Sequence, residues 1–580
     1  MFLSLFKLSN TYWNINIRNL HKYMFKMDKA YLRHVTETEQ FQISFRYSDS
    51  NKVDRQFNFC RQLKEPVGTF LSRVTANVSK VINKKNKKKK TDNAQEEENT
   101  ISASLLHNGT VVGDERTCHD LFNSHASDEI VLQLLDKEYL IVINSPWINS
   151  LSLPKSIMAN FPVYPAKFEG DFIDKNLSEF NWYKSEDKIN WELVGCGFMY
   201  LPRNEDIKHY LKMTCLPKNE NATGPFVETV SETCVEASPG YCPFETRHQF
   251  TKDRLIGKEF RVVTYNILAD LYTDSDFSRN TLFPYCPPYA LSMDYRKQLI
   301  IKELLGYNAD IICLQELDKK IFVNHIEPVF TAMDYSCTFQ LKGGEVAEGL
   351  GCIYNNKRFR FLESKTMLYG ELIDKDPLFG DIWQKISANP KLIERYTQRS
   401  TVLELTLLES LENEELLLVA NTHLYFHPDA DHIRLLQGAV AIRFIEDYML
   451  KLQSQAKVRI SLIFCGDFNS VPECGIYQLY TKGSVSEDFV DWGSNAEETV
   501  RGLNLTQRFN LESACGTPPY TNYTAGFFGC LDYIYYEKDN LSVTQVIPLP
   551  SHEEVMEHIA LPSIVHPSDH IALVADLKWL

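Results

Sequence analysis

Ile460-Ser461-Leu462-Ile463-Phe464-Cys465-Gly466-Asp467-Phe468-Asn469 is the stretch whose reading decides the fold. The residues up to Cys465 form a short apolar run closed by a glycine, the pattern of a fully buried strand. Alternate residues of a strand share a face, so Asp467 and Asn469 leave the strand end together. One carboxylate and one amide oxygen there suit a hard cation such as Mg2+. A turn after a strand uses the same residue types, so the stretch is weighed with its neighbours.

Working outward, the same event recurs along the C-terminal half: Thr264-Tyr265-Asn266-Ile267-Leu268, Leu314-Gln315-Glu316, Asn421-Thr422-His423-Leu424, Leu531-Asp532-Tyr533-Ile534 and Pro567-Ser568-Asp569-His570. Each polar group follows or opens an apolar β-like run, as in Arg261-Val262-Val263, Ala309-Asp310-Ile311-Ile312-Cys313 and Leu416-Leu417-Leu418-Val419-Ala420. Helical segments from Arg296 to Leu305 and from Ile433 to Leu452 precede two of these strands. Strands alternating with helices predict an α/β domain with polar residues at its strand ends.

The ordered set resembles the endonuclease/exonuclease/phosphatase superfamily of Mg2+-dependent phosphoesterases, over roughly residues 258–580. Asp294-Tyr295-Arg296, the run from Tyr307 to Glu316 and the run from Val546 to Val555 are similar to its branch of 2′,5′-phosphodiesterases and deadenylases. The resemblance implies a four-layer α/β sandwich, two mixed sheets face to face with helices outside. It also implies residue roles. Glu316 becomes the principal Mg2+ ligand, Asp467 a ligand that positions or activates the attacking water, Asn469 a ligand of a second metal or of a phosphate oxygen, and Asp569 a further ligand. Asn266 touches metal or phosphate, His423 and His570 donate to phosphate oxygens, Asp532 orients His570, and Phe527 stacks on adenine. Mg2+ is the implied cofactor, in one or two sites, with Mn2+ able to substitute.

The implied activity is 3′-end-directed removal of adenosine from 2′,5′-oligoadenylates and from poly(A) RNA, releasing AMP. A general phosphatase or DNA nuclease of the same fold, or an inactive RNA-binding adaptor, are the alternatives. Phosphate chemistry alone does not choose among them. His552 and His558 are six apart and do not share a helix face, while Pro567 lies between His566 and His570, so neither pair reads as a zinc site. The chain has no Gly-x-Ser-x-Gly and no Walker phosphate loop, which removes serine hydrolases and nucleotide switches.

At 580 residues, 44% of them apolar, the chain has material for two folded domains. Its formal charge of −15 argues against a protein that coats nucleic acid, which must neutralise many phosphates. The 14 cysteines include no Cys-x-x-Cys pair and fall singly, as buried thiols in a reducing compartment do. Residues 1–27 contain no Asp or Glu but carry Lys7, Arg18, Lys22 and Lys26, the pattern of a mitochondrial presequence, assigned with its flank to residues 1–34. No apolar stretch is long enough for a membrane span. Short alternating runs such as Phe41–Tyr47 and Tyr139–Ile143 predict an antiparallel, β-rich accessory domain over residues 35–250. Lys84, Lys85 and Lys87 to Lys90, followed by Glu96 to Glu98, read as a solvated loop near residues 80–100. Residues 375–399, with Trp383, Lys385, Arg395 and Arg399, read as a helical insertion beside the cleft of the catalytic domain, residues 258–580.

Overall fold

The computed structural model describes residues 27–34, 38–48, 53–87, 101–123, 128–456 and 459–580. The acid-free segment up to residue 26 and the stretch from Lys88 to Glu98 lie outside the described residues. The chain forms two compact units, one taking in residues up to Leu151 with Phe168–Asn181 and Met213–Thr229, the other Ser152–Lys167, Trp182–Lys212 and Val230–Leu580.

The first unit is built on a seven-stranded sheet in which Gln40–Ser48, Asp28–His34 and Lys137–Ile143 are successive neighbours. Alternation does the work in Gln40–Ser48, where Phe41, Ile43, Phe45 and Tyr47 are buried and Gln42 and Arg46 face water. Two expectations need correction. Asp28–His34 pairs in parallel with Lys137–Ile143, so the sheet is mixed and not wholly antiparallel, and part of the segment assigned to residues 1–34 is a strand of this sheet. Lys84, Lys85 and Lys87 belong to the end of a helix, Val67–Lys87, whose Val67, Phe70, Leu71, Val74 and Val78 recur at helical spacing and enter the core.

In the second unit two six-stranded sheets are formed by β1 (Glu259–Asn266), β2 (Ile311–Asp318), β3 (Tyr335–Leu341), β4 (Glu348–Asn355), β5 (Phe359–Leu368), β6 (Val402–Ser410), β7 (Leu416–His423), β8 (Ile460–Asp467), β9 (Leu511–Ser513), β10 (Asp532–Glu537), β11 (Leu541–Val546) and β12 (Leu573–Trp579). The first sheet runs β3-β4-β2-β1-β12-β11 and the second β5-β6-β7-β8-β10-β9. In each, only the central pair is parallel, β1 with β2 and β7 with β8. The sheets pack face to face through Val262, Ile311, Cys313, Leu417, Val419, Ile463, Cys465, Ile534 and Leu573. The outward residues of the second sheet, Leu418, Ala420, Leu462 and Phe464, meet Ile433, Leu436 and Val440 of the long helix Asp431–Ala456. The helix Met293–Gly306 covers the first sheet's outer side, where its buried Glu303 is hydrogen-bonded to the outward-facing Tyr265 of β1. These four layers are the sandwich that the resemblance implies. Residues 375–399 are helical over Gly380–Ile386 and Pro390–Thr397, and bury Ile382, Ile386, Leu392 and Tyr396 in the helical layer.

The inner faces change character along the strands. Val262-Thr264-Asn266 on β1, Val419-Asn421-His423 on β7, Ile463-Cys465-Asp467 on β8 and, read backwards, Ile534-Asp532 on β10 all pass from apolar to polar at the same end. Burial of each aliphatic side chain at the apolar end contributes about 1.5–3 kcal/mol relative to exposure. That stabilisation offsets a middle layer of amides that bind the sheets to each other. Gln315 donates to Asn421 Oδ1 at 2.8 Å and to Thr264 Oγ1 at 3.1 Å, while Asn421 donates to the carbonyls of Leu314 and Gly351 at 3.1 and 3.2 Å.

Candidate active site

The ionisable ends of those inner-face rows form one buried cluster. Two backbone devices aim it. In the ladder between β2 and β4, Leu314 pairs with Gly351 and Leu317 with Gly349, so Gln315 and Glu316 together oppose one residue. This bulge, with Glu316 at φ +53°, keeps Gln315 pointing between the sheets and turns Glu316 to the rim as well. On β8, Gly466 has φ +155°, and a Cβ there would stand 2.2 Å from the Thr422 carbonyl oxygen. Only glycine lets β8 run this close to β7 and deliver Asp467 at the end.

Asn266 ties the two sheets' carboxylates. Its amide nitrogen donates to Glu316 Oε1 at 3.1 Å and to Asp467 Oδ2 at 3.0 Å, while its oxygen accepts from the Leu268 N–H at 3.0 Å. The other Glu316 oxygen accepts from the Ala269 N–H at 2.9 Å. Asp467 Oδ1 accepts from the Asn469 N–H at 2.9 Å, and the Asn469 amide nitrogen is held by the Leu424 carbonyl at 3.0 Å, which leaves Oδ1 as the atom that side chain offers. His570 Nδ1 donates to Asp532 Oδ2 at 2.8 Å, and its Nε2 lies 3.6 Å from Asp467 Oδ2. His423 Nε2 is 3.5 Å from the same oxygen. Asp569 takes the Asn522 amide at 3.2 Å.

The electrostatics follow from burial. Burial, with Glu348 and Asp569 close by, pushes the Glu316 carboxyl up to about 7. Burial and the neighbouring Asp532 push Asp467 up to about 6, against the pull of His570. Carboxyls so desolvated favour a cation that restores their charge. The donors of Glu316, Asp467, Asn469 and Asp569 are all oxygen, the set that a hard divalent ion takes. Asp467, Asp532 and His570 also stand close enough for a metal trio. Within that trio Nδ1 of His570 is already engaged by Asp532 Oδ2, and although burial alone would depress the imidazole, Asp532 and Asp467 outweigh it and raise the ring well above its ordinary range, which favours a proton there. His570 is thus a proton-bearing donor between two carboxylates.

The model of the Endonuclease/Exonuclease/phosphatase family matches residues 263–570, a span that begins in β1 and ends on His570. The chain belongs to the endonuclease/exonuclease/phosphatase family. A second model, the 2′,5′-phosphodiesterase 12-like N-terminal domain, matches residues 145–236. The chain is 40% identical to 2′,5′-phosphodiesterase 12 of Rattus norvegicus over 592 residues, covering 96% of this chain and 95% of that protein. For the Homo sapiens protein of the same name the identity is 40% over 586 residues, covering 95% and 94%. The CCR4-Not complex 3′-5′-exoribonuclease subunit Ccr4 of Schizosaccharomyces pombe is 30% identical over 351 residues, covering 55% of this chain and 49% of the subunit. Among solved structures, ANGEL2, a 2′,3′-cyclic phosphatase, in complex with adenosine-2′,3′-vanadate aligns with a TM-score of 0.47 at 22% identity, covering 56% of this chain and 97% of that one.

Within the family span, the structure brings Asn266, Glu316, His423, Asp467, Asn469, Asp532, Asp569 and His570 to one strand-end region through the contacts above. Phe527 stands on a turn closed by the Thr524 N–H on its carbonyl at 2.7 Å, with its side chain 48% exposed. The decoys stay apart: the helix His552–Met556 ends before His558, and His566 is buried, pushed down to about 3 by burial and the charge of Arg247. Two residues that motif spacing passes over also serve the site. Thr521 donates to Asp532 Oδ2 at 2.6 Å and receives the Asp532 N–H at 3.0 Å, clamping the carboxylate that orients His570. Arg296, fully buried, donates to the carbonyls of Ile267 at 3.1 Å, Leu268 at 2.8 Å and Pro567 at 3.1 Å. It joins the loop after Asn266 to the loop before Asp569 and His570. Asp294-Tyr295-Arg296 carried the resemblance, but nothing in its spacing told which chain segments the guanidinium would reach.

Proposed function

We infer that this chain is a metal-dependent phosphodiesterase and 3′-exoribonuclease that degrades 2′,5′-oligoadenylates and removes poly(A), releasing AMP. One observation carries the chemistry: an all-oxygen carboxylate set beside a buried imidazolium held between Asp532 and Asp467. The 2′,5′-phosphodiesterase 12 relatives, aligned over nearly the whole chain, support the substrate.

Glu316, Asn469 and Asp569 would hold Mg2+ with Asp467. When bound there, the ion would supply Lewis-acid stabilisation of the charge on the phosphate. Asp467 orients the attacking water and takes its proton. His570 donates to a phosphate oxygen as charge builds in the transition state, and Asp532, fixed by Thr521, keeps the ring aimed. The bond to the 3′ or 2′ oxygen of the upstream nucleotide breaks, and AMP leaves with the former linkage phosphate on its 5′ oxygen. Phe527 supplies a base-stacking face. The acid-free N-terminal segment supports delivery to mitochondria.

The test is the product pattern from adenosine oligomers labelled at the 5′ end, in both linkages. A ladder shortening one nucleotide at a time, with AMP as the sole mononucleotide, is expected. Internal fragments at early times, or release of inorganic phosphate alone, would replace this reading with an endonuclease or a phosphatase.

A further inference from the structure

Lys342, just beyond β3, is nearly buried, with its side chain 11% exposed beside the cluster. Its Nζ lies 2.5 Å from Glu348 Oε1, whose carboxylate also takes the Tyr272 hydroxyl at 3.4 Å, and 3.2 Å from Nδ1 of His423. An ammonium has three donors and no lone pair. Facing it at hydrogen-bond distance, Nδ1 of His423 must be an acceptor, so the neutral ring carries its proton on Nε2. A proton on both nitrogens would set an N–H against the ammonium, with the His570 imidazolium across the same pocket. Nε2 points toward Asp467 Oδ2 at 3.5 Å, beyond a normal N–H···O bond, so this N–H is not committed to the carboxylate.

We propose that Lys342 is a positioning residue that locks His423 in its Nε2–H tautomer and aims that N–H at a non-bridging oxygen of the scissile phosphate. The proposal rests on the phosphodiesterase reading for its substrate, but the lock is a property of the free protein. Glu348 completes the device by holding the ammonium in place, and Tyr272 in turn holds Glu348. The other charged groups facing His423 are Asp467 and His570, and neither donates to Nδ1. The other tautomer would present a lone pair from Nε2 to the phosphate and repel it.

Metal-free protein labelled with 15N-histidine reports the tautomer directly, the His423 signals being assigned by their loss in His423→Gln. Wild type should show a single Nε2–H tautomer. Lys342→Met with Glu348→Gln removes the ammonium without leaving a buried carboxylate unpaired, and should yield a mixture of tautomers. On oligoadenylate the same variant should lose on the order of 10²-fold in kcat with KM nearly unchanged, the signature of a lost transition-state donor. Lys342→Arg, which keeps a donor, should restore the single tautomer and part of the rate. An unchanged tautomer in the double variant would overturn the proposal, as would a loss confined to KM, which would make Lys342 a plain phosphate-binding charge. Wild type that releases no AMP would instead overturn the reaction reading, and the tautomer comparison would still decide the lock.

Discussion

Phe527 is the residue through which we propose that base choice enters, because carboxylates, metal and imidazoles see only phosphate and water. Stacking on an aromatic face contributes roughly 1–3 kcal/mol per base. Phe527→Ala should lower kcat/KM for oligoadenylate by that amount and leave a small, base-free phosphodiester almost unaffected. Equal losses on both substrates would make Phe527 a support for the loop that leads to Asp532. At this scale the sequence was informative wherever a polar residue closed an apolar run, as at Glu316 and Asp467, and silent wherever a side chain acts across long sequence separation. Arg296 reaches Pro567, Lys342 reaches His423 and Thr521 reaches Asp532, and none of these meetings leaves a local spacing to read.

At the scale of elements, β8 owes its position to Gly466. Gly466→Ala should force β8 away from β7, because the new Cβ would stand 2.2 Å from the Thr422 carbonyl oxygen. Asp467 would move with it. A drop in kcat of at least an order of magnitude, beyond any loss of melting temperature, is expected by analogy with other small misplacements of catalytic groups. On β6, Glu404 lies in the inter-sheet layer, paired in register with Asn421, and its Oε2 has no hydrogen-bond partner among the described residues. Burial pushes its carboxyl from the usual 4.5 up to about 7. Below the ordinary value both folded and unfolded chains are protonated and Glu404 contributes no pH dependence. As pH rises toward about 7 the unfolded chain ionises first, so the folded state loses stability, on the order of 3 kcal/mol in total, and the loss then levels off. Urea unfolding of wild type and Glu404→Gln across that window checks this: the difference should grow between about pH 4.5 and 7, and a constant difference would contradict it. The strands of the sandwich were readable because buried runs bounded by glycine or polar residues are a local signal. The helix Val67–Lys87 was not, since its Asn, Ser, Thr and Lys content masks a helical spacing of Val67, Phe70, Leu71, Val74 and Val78. The bulge at Glu316 was hidden too, because a bulge is defined by the partner strand.

At the scale of the whole molecule, the two-domain expectation meets a chain that passes back and forth between two compact units, with Ser152–Lys167 and Trp182–Lys212 grouped with the catalytic part. Sequence composition had no means of locating such crossings. The N-terminal segment is a separate matter: deleting residues 1–27 should leave the purified activity unchanged and misdirect the protein in cells, and a truncated protein that still enters mitochondria would contradict the address reading. The central claim is that the rim where the two sheets' parallel strands end is a divalent-metal phosphodiesterase site anchored by Glu316. Its most direct test is AMP release from oligoadenylate by wild type and Glu316→Ala, each stripped with EDTA and then titrated with Mg2+. Wild type should be inactive when stripped and recover with Mg2+, while Glu316→Ala, with a melting temperature close to wild type, should stay inactive throughout. Near-normal turnover by Glu316→Ala in Mg2+, or turnover by stripped wild type in EDTA, would contradict the account.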